Sequence, residues 1–231
     1  MTASFPTRSG QHHQRPEMFE TWMARFPTTD GGLTAATKTL YEGYRSFYGQ
    51  VHQTNKDETC TPGARLVKNV NAARAIILPL VDQLEAANAK ASERAAKLEA
   101  RTAEVYNPPD KKYETCMRHA EIRAHFKLLP RAERLQAVEN ARKAGDEDTL
   151  IAIASYQPYL SGVDPQQHAF ARNHLIEAHA PSEAAALKSI REQQGYVAGF
   201  CETMLQSVAD LLDFSKADEL IVAAQGQLAA N

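Results

Sequence analysis

A seven-residue repeat of apolar residues constrains the fold of this 231-residue chain more than any other feature. The repeat consists of Val70, Ile77, Leu84, Ala91, Leu98 and Val105. A spacing of seven keeps side chains on one face of an α-helix, so the pattern predicts one long helix over about 64–106. Pro79 lies inside this helix and predicts a kink or a short break near 75–79.

A second apolar stripe with the same period lies near the C-terminus. Its members are Ile190, Val197, Met204 and Leu211. With Ser182 as its N-cap, it predicts a second long helix over about 183–214. Long apolar stripes have to be covered, either by the second long helix or by another subunit. Because the two helices have complementary lengths, we expect them to pack antiparallel as the spine of the fold. Leu98 is then expected to be buried, and Leu98→Asp to unfold the monomer.

The segment between the long helices carries start and stop signals of shorter helices. Pro130 begins one of them and Gly145 ends it, while Asp146 and Asp164 are N-caps of the next two. A further helix is expected to begin at Pro109, and no segment alternates like a β-strand. The sequence predicts an all-α fold, an elongated helical bundle with two long helices (about 64–106 and 183–214), shorter helices between them and an extended N-terminal arm.

The arm covers residues 1–32, which are polar and interrupted by prolines and by a Gly-Gly pair. We therefore expect two parts, an extended arm (1–32) with one short helix and a helical domain (33–231). Met18, Trp22 and Phe26 fall at helical spacing in the short helix. These three residues are the candidate partner contacts, and the arm is expected to pack on a neighbouring chain rather than on its own core.

Composition restricts the partners. The net charge is −2, so no basic surface indicates nucleic acid or an anionic membrane. The longest apolar run, residues 75–81, is too short to span a bilayer. Three widely spaced cysteines indicate a reducing compartment, although one inter-chain disulfide through Cys60 stays open.

The stretch CMRHAEIRAH, residues 116–125, brings a cysteine and two histidines close together in sequence. At about 100° per residue, His119 and His125 diverge by about 120° on a helix, so they cannot share a metal. No second ligand pair completes a zinc site, and we expect no metal and no cofactor. The buried stripe of this helix is expected to consist of Tyr113, Met117, Ala120, Ala124 and Leu128, with Cys116 at its edge.

The segment VENARKAGDEDTLIAIASYQPYLSGVD, residues 138–164, contains an alanine-rich helix, a Gly-Asp turn, a short apolar helix and an aromatic-Pro-Tyr-Leu-Ser-Gly loop. It resembles a segment of small all-helical proteins from the structural gene clusters of tailed bacteriophages, which encode head and head–tail components. The resemblance implies a virion or assembly protein without enzyme activity. It carries over no functional residue.

No nucleotide-binding, nucleophile-elbow or metalloprotease motif occurs in the chain. The sequence favours a non-enzymatic structural or assembly protein, located in the virion and binding copies of itself or other virion proteins. One alternative is a cytoplasmic helical adaptor or regulator. A second is a helical-bundle enzyme or metal protein whose site is not visible in the sequence.

Overall fold

The computed structural model describes residues 4–9, 14–28, 30–107 and 112–229. Within these ranges it contains nine α-helices, a 3₁₀ turn at Pro158–Leu160 and no β-strand, which confirms the all-α helical bundle. The helices are α1 (Pro16–Ala24), α2 (Gly31–Asn55), α3 (Pro62–Glu104), α4 (Tyr113–Leu128), α5 (Arg131–Ala144), α6 (Glu147–Ala154), α7 (Pro165–His179), α8 (Pro181–Leu211) and α9 (Phe214–Ala229). The helix start predicted at Pro109 lies outside the described residues.

Both long helices form, as α3 and α8, and α3 continues without a break through Pro79. Proline removes the hydrogen bond that the Ala75 carbonyl would otherwise accept within the helix. Pro79 and Ala75 are both exposed, so water can bind this carbonyl instead. The break expected near 75–79 is therefore absent from α3.

The chain divides into two compact units, one formed by residues 1–93 and 189–231 and the other by residues 94–188. Both α3 and α8 contribute to each unit. This division differs from the expected boundary between an arm (1–32) and a single domain (33–231). The reason is that the described part of the arm packs into the first unit.

In the first unit, α3 and α8 run antiparallel. Gln194 Nε2 donates to Asn88 Oδ1 at 2.9 Å, whereas Cys201, further along α8, lies near Glu85, which precedes Asn88 on α3. The first four members of the α3 stripe are buried, but Leu98 and Val105 are only partly buried. The expectation of a fully buried Leu98 is corrected accordingly.

The described part of the arm, residues 4–9 and 14–28, packs on its own chain. Phe19 of α1 is fully buried and makes edge-to-face contacts with Tyr44 and Phe200, at centroid distances of 5.3 and 5.4 Å. Ser9 donates from both its backbone N–H and its hydroxyl to the Asp210 carboxylate at 2.7 Å. The expectation that the arm would not pack on its own core is wrong for residues 4–9 and 14–28, because Phe19 supplies an apolar anchor to its own α2 and α8. A contact of the arm with a neighbouring chain stays a prediction.

The second unit is built around the short helix α6, which packs against α4, α5 and α7. Leu150 and Ile153 of α6 are buried at the centre of its core. The other buried members of this core are Phe126, Val138, Ala141, Ala154, Val163, Ala171 and Leu175. A helix of eight residues is too short to be stable alone, so packing by the three longer helices holds α6 in place.

Candidate interaction surface

The buried position of α6 decides which side chains surround it, because the groups at its two ends need hydrogen-bond partners. At the N-terminus, the side chain of Asp146 accepts from the Thr149 N–H at 3.1 Å. At the C-terminus, Arg172 Nε of α7 donates to the Ala154 carbonyl at 2.8 Å. At the C-terminal end of α6, a polar side chain of a neighbouring helix thus points towards the core.

His168 of α7 also serves the C-terminal end of α6. Its Nε2 lies 2.8 Å from the Tyr156 carbonyl oxygen, which can only accept, so this ring nitrogen carries the proton. Burial, and then the nearby Arg172, lower the pKa of His168. The imidazole is therefore held neutral at physiological pH and acts as a structural donor rather than as an acid or base.

The side of α4 that contacts α6, which we call its inner face, also carries polar side chains. The Arg123 guanidinium lies over the Tyr156 ring at 3.7 Å, and its Nη1 is 3.5 Å from the Ala152 carbonyl. His119, which is 2% exposed, places Nε2 3.5 Å from Asp148 Oδ1. Together with the buried Phe126, these residues define the face of α4 that contacts α6.

The stripe that the sequence predicted to be buried on α4 lies on the opposite side of the helix. Tyr113 is 77% exposed, Met117 47% and Leu128 85%, and Ala120 and Ala124 are exposed as well. The prediction of a buried stripe is wrong, because Phe126 packs into the core of the second unit and turns the face that carries His119 and Arg123 inward. We call these five exposed residues the outer face of α4.

The outer face of α4 is a continuous apolar row. Its members lie within about 60° of Tyr113 around the helix and span about 22 Å along it, at 1.5 Å per residue. Single exposed apolar residues are common on soluble proteins, whereas contiguous ones mark interaction sites. The arrangement is suited to receiving a second helix, since alanines at its centre permit close approach.

A second apolar feature of the same unit is an open groove of about 690 Å³ between α5 and α7. Leu135 and Phe170 line it and are 59% and 42% exposed. Arg131 and Asp164 lie at the same groove with 3.7 Å between Nη2 and Oδ2. This groove is broader than a single helix face and offers both apolar contact and charge.

The three predicted partner contacts have different surroundings. Met18 is 59% exposed, Trp22 is partly buried, and Phe26 is buried. Trp22 lines an open groove of about 640 Å³ in the first unit, together with Arg25 and Tyr196. Met18 and Trp22 are accessible to a partner, whereas Phe26 belongs to the core of its own chain.

Among the described residues, no group of three or more His, Cys, Asp or Glu side chains is arranged to hold a metal. Cys116 is partly buried, His119 lies on the inner face of α4, and His125 is exposed. In the same part of the chain, no helix combines the length and the apolarity needed to cross a membrane.

Sequence reasoning missed Phe19, the anchor of the arm, and the inner-face residues of α4. A signal for the inner face was present, since Ile122 and Phe126 form a second apolar pair at helical spacing beside His119 and Arg123. Comparisons of the chain with protein-family models, with curated proteins and with solved structures found no match.

Proposed function

We propose that this chain is a non-enzymatic structural or assembly protein of a tailed-bacteriophage virion, in the head or head–tail region, and that it acts through protein–protein contacts. The observation that carries the proposal is the exposed outer face of α4. An apolar row of this length on the surface is costly in water unless a partner covers it. The three large side chains in the row would contribute most of the binding free energy.

The resemblance of residues 138–164 to segments of phage structural proteins supports the choice of a virion. This segment spans the end of α5, all of α6 and the turn that follows, which form the centre of the second unit. The segment therefore supplies the packing that fixes which side of α4 points outward. A partner on the outer face would be another copy of the chain or another virion protein.

The proposal can be tested by co-sedimentation with particles. Phage particles are assembled in the presence of the wild-type chain, of Leu128→Glu or of Val222→Glu, purified on a gradient and analysed by mass spectrometry and electron microscopy. Val222 is also an exposed apolar residue, at 67%, but lies on α9. We expect wild type and Val222→Glu in the particles and a clear loss of Leu128→Glu.

Absence of the wild-type chain from purified particles would contradict the proposal. The alternative function, a cytoplasmic helical adaptor or regulator, is favoured by the groove beside Trp22 and Tyr196, whose volume of about 640 Å³ lies in the range of ligand-binding clefts. That function predicts that the chain is recovered from the cytosolic fraction with a host protein, and that Trp22→Ala abolishes this recovery.

A further inference from the structure

The outer face of α4 has a particular arrangement of large and small residues. Tyr113 and Leu128 stand at its two ends, and Ala120 lies near its middle. Two such faces placed antiparallel would bring each large end residue beside the opposite end of the second helix. The small residue at the centre would lie where the two helices come closest.

A row of charged residues runs along one flank of this face. It consists of Glu114, Arg118, Glu121 and His125, and each of them follows a residue of the outer face directly in sequence. One step along a helix turns it by about 100°, so all four lie on the same flank. All four are exposed, and the charges of Glu114, Arg118 and Glu121 alternate in sign.

Charge alternation in this order is self-complementary about a two-fold axis near Ala120. When two copies of a helix face each other antiparallel, each flank lies beside the same flank of the second copy. Glu121 would then lie beside Arg118 of the second copy, and Glu114 beside His125 of the second copy. Every pair occurs twice, and the pair of Glu121 with Arg118 joins opposite charges.

A parallel pair lacks this complementarity. Parallel two-fold packing would set the charged row against the opposite flank of α4, where Cys116 and Lys127 lie and where α4 carries no carboxylate. The antiparallel arrangement also opposes the two helix dipoles, which is the favourable orientation. The charges therefore select the direction as well as the partner.

We propose that two copies of this chain pair through the outer faces of α4, antiparallel and related by a two-fold axis near Ala120. The inference rests on the proposed assembly function and names the partner, a second copy. One helix face about 22 Å long is smaller than a standard stable interface. The isolated dimer is therefore weak, with a dissociation constant of roughly micromolar order or weaker, and gains strength from repeated contacts in an assembly.

Arg118 is already positioned for this role. Its Nη2 lies 2.7 Å from Asp148 Oδ2, while 57% of its side chain is exposed. The contact with Asp148 restricts the rotamers of the long side chain, so less conformational entropy is lost when it meets Glu121 of the second copy.

Sedimentation velocity over a range of protein concentrations tests the pairing with two charge reversals. Glu121→Lys places an ammonium group beside Arg118 of the second copy, and Arg118→Glu places a carboxylate beside Glu121 of the second copy. Each variant alone should dimerise roughly tenfold or more weakly than wild type, because two attractive pairs become repulsive. An equimolar mixture of the two variants should recover dimerisation, because both of these pairs in the mixed dimer again join opposite charges.

The mixed dimer recovers because each variant meets the other rather than itself. In one pair the new ammonium group faces the new carboxylate, and in the other the unchanged Arg118 of one variant faces the unchanged Glu121 of the second. Both contacts are attractive, whereas in either pure dimer positions 118 and 121 join like charges. Recovery on mixing is therefore a property of the pairing geometry and not of either variant alone.

Two further variants keep this test decisive. Glu133→Lys makes the same charge change on α5, away from the outer face, and should neither weaken the dimer nor restore it when mixed with Arg118→Glu. Met117→Glu introduces a charge into the apolar row and should weaken the dimer without affecting the contact of Arg118 with Asp148. Circular dichroism of every variant checks that the helices are retained.

The pairing is refuted by a wild-type chain that remains monomeric up to roughly millimolar concentration. It is also refuted by self-association that Glu121→Lys and Met117→Glu leave unchanged, or by a mixture of folded variants that stays monomeric. These outcomes are separable from failure of the proposed function. A chain that enters particles but never pairs through α4 refutes only the pairing, and a chain that pairs but is absent from particles refutes only the virion role.

Discussion

The side-chain amide of Gln193 binds both backbone groups of Asp30, the N-cap residue of α2. Its Oε1 accepts from the Asp30 N–H at 2.8 Å, and its Nε2 donates to the Asp30 carbonyl at 3.1 Å. The same Nε2 donates to Thr34 Oγ1 at 2.9 Å, and the side chain is fully buried. One residue of α8 thus fixes where α2 begins.

Gln193→Leu should lower the free energy of unfolding by about 1–3 kcal/mol, because it removes three hydrogen bonds from a buried site at nearly constant side-chain volume. Urea denaturation followed by circular dichroism measures the change. Gln53→Leu, an exposed position on α2, is the matched control and should change stability by less than about 0.5 kcal/mol. Equal losses in the two variants would show that the bonds to Asp30 do not stabilise the fold.

The orientation of α4 can be tested by a pair of alanine substitutions two residues apart. Phe126→Ala should cost about 3–5 kcal/mol, because Phe126 is buried in the core of the second unit. Leu128→Ala should cost less than about 0.5 kcal/mol, because Leu128 is exposed. Thermal unfolding at low protein concentration measures both, and a reversed order would mean that α4 is rotated with its outer face inward.

The buried His168 predicts a sensitivity to acid. Burial lowers its pKa in the folded chain below the value of 6.5 expected when it is unfolded. As the pH falls below 6.5, the unfolded chain binds a proton that the folded chain does not, so stability falls. This loss of stability ends once the pH is below the pKa of His168 in the folded chain. Above pH 6.5 neither state binds the proton, and this contribution to the pH dependence vanishes.

His168→Gln should reduce this acid sensitivity while keeping a donor for the Tyr156 carbonyl. We expect the free energy of unfolding of wild type to fall more steeply than that of the variant between about pH 6.5 and 5. Urea denaturation at closely spaced pH values measures the two slopes. Parallel slopes would mean that His168 is not responsible for the loss.

Cys201 is predicted to react slowly with alkylating reagents. Burial raises the pKa of its thiol to about 11, with a smaller contribution from Glu85. Because only the thiolate reacts, at about pH 8 the folded chain should be labelled at Cys201 roughly two orders of magnitude more slowly than the urea-unfolded chain. Mass spectrometry of peptides after timed treatment with iodoacetamide gives both rates. Similar rates in the two states would contradict the burial of this thiol.

The sequence by itself determined the elements that depend on local rules. The seven-residue repeat in α3 and the related one in α8 predicted two long helices to within three residues at each end. Asp146 and Asp164 cap α6 and α7 as their types and positions predicted, and Gly145 ends α5 with a positive φ. The caps and the helix end depend on hydrogen bonds and dihedral angles within a few residues. Residues adjacent in sequence therefore specify them.

Only the tertiary structure decided which face of α4 and of α1 points inward. On α4, Tyr113, Met117 and Leu128 face solvent, because Phe126 packs into the core around α6 and the face that carries His119 and Arg123 turns inward with it. On α1 the buried residue is Phe19 rather than Met18, because Phe19 packs between Tyr44 of α2 and Phe200 of α8. A periodic pattern shows on which face of a helix an apolar stripe lies, but not which segment of the chain packs against that face. The burial of a face depends on polar and apolar groups contributed by distant segments, and those meet only when the chain has folded.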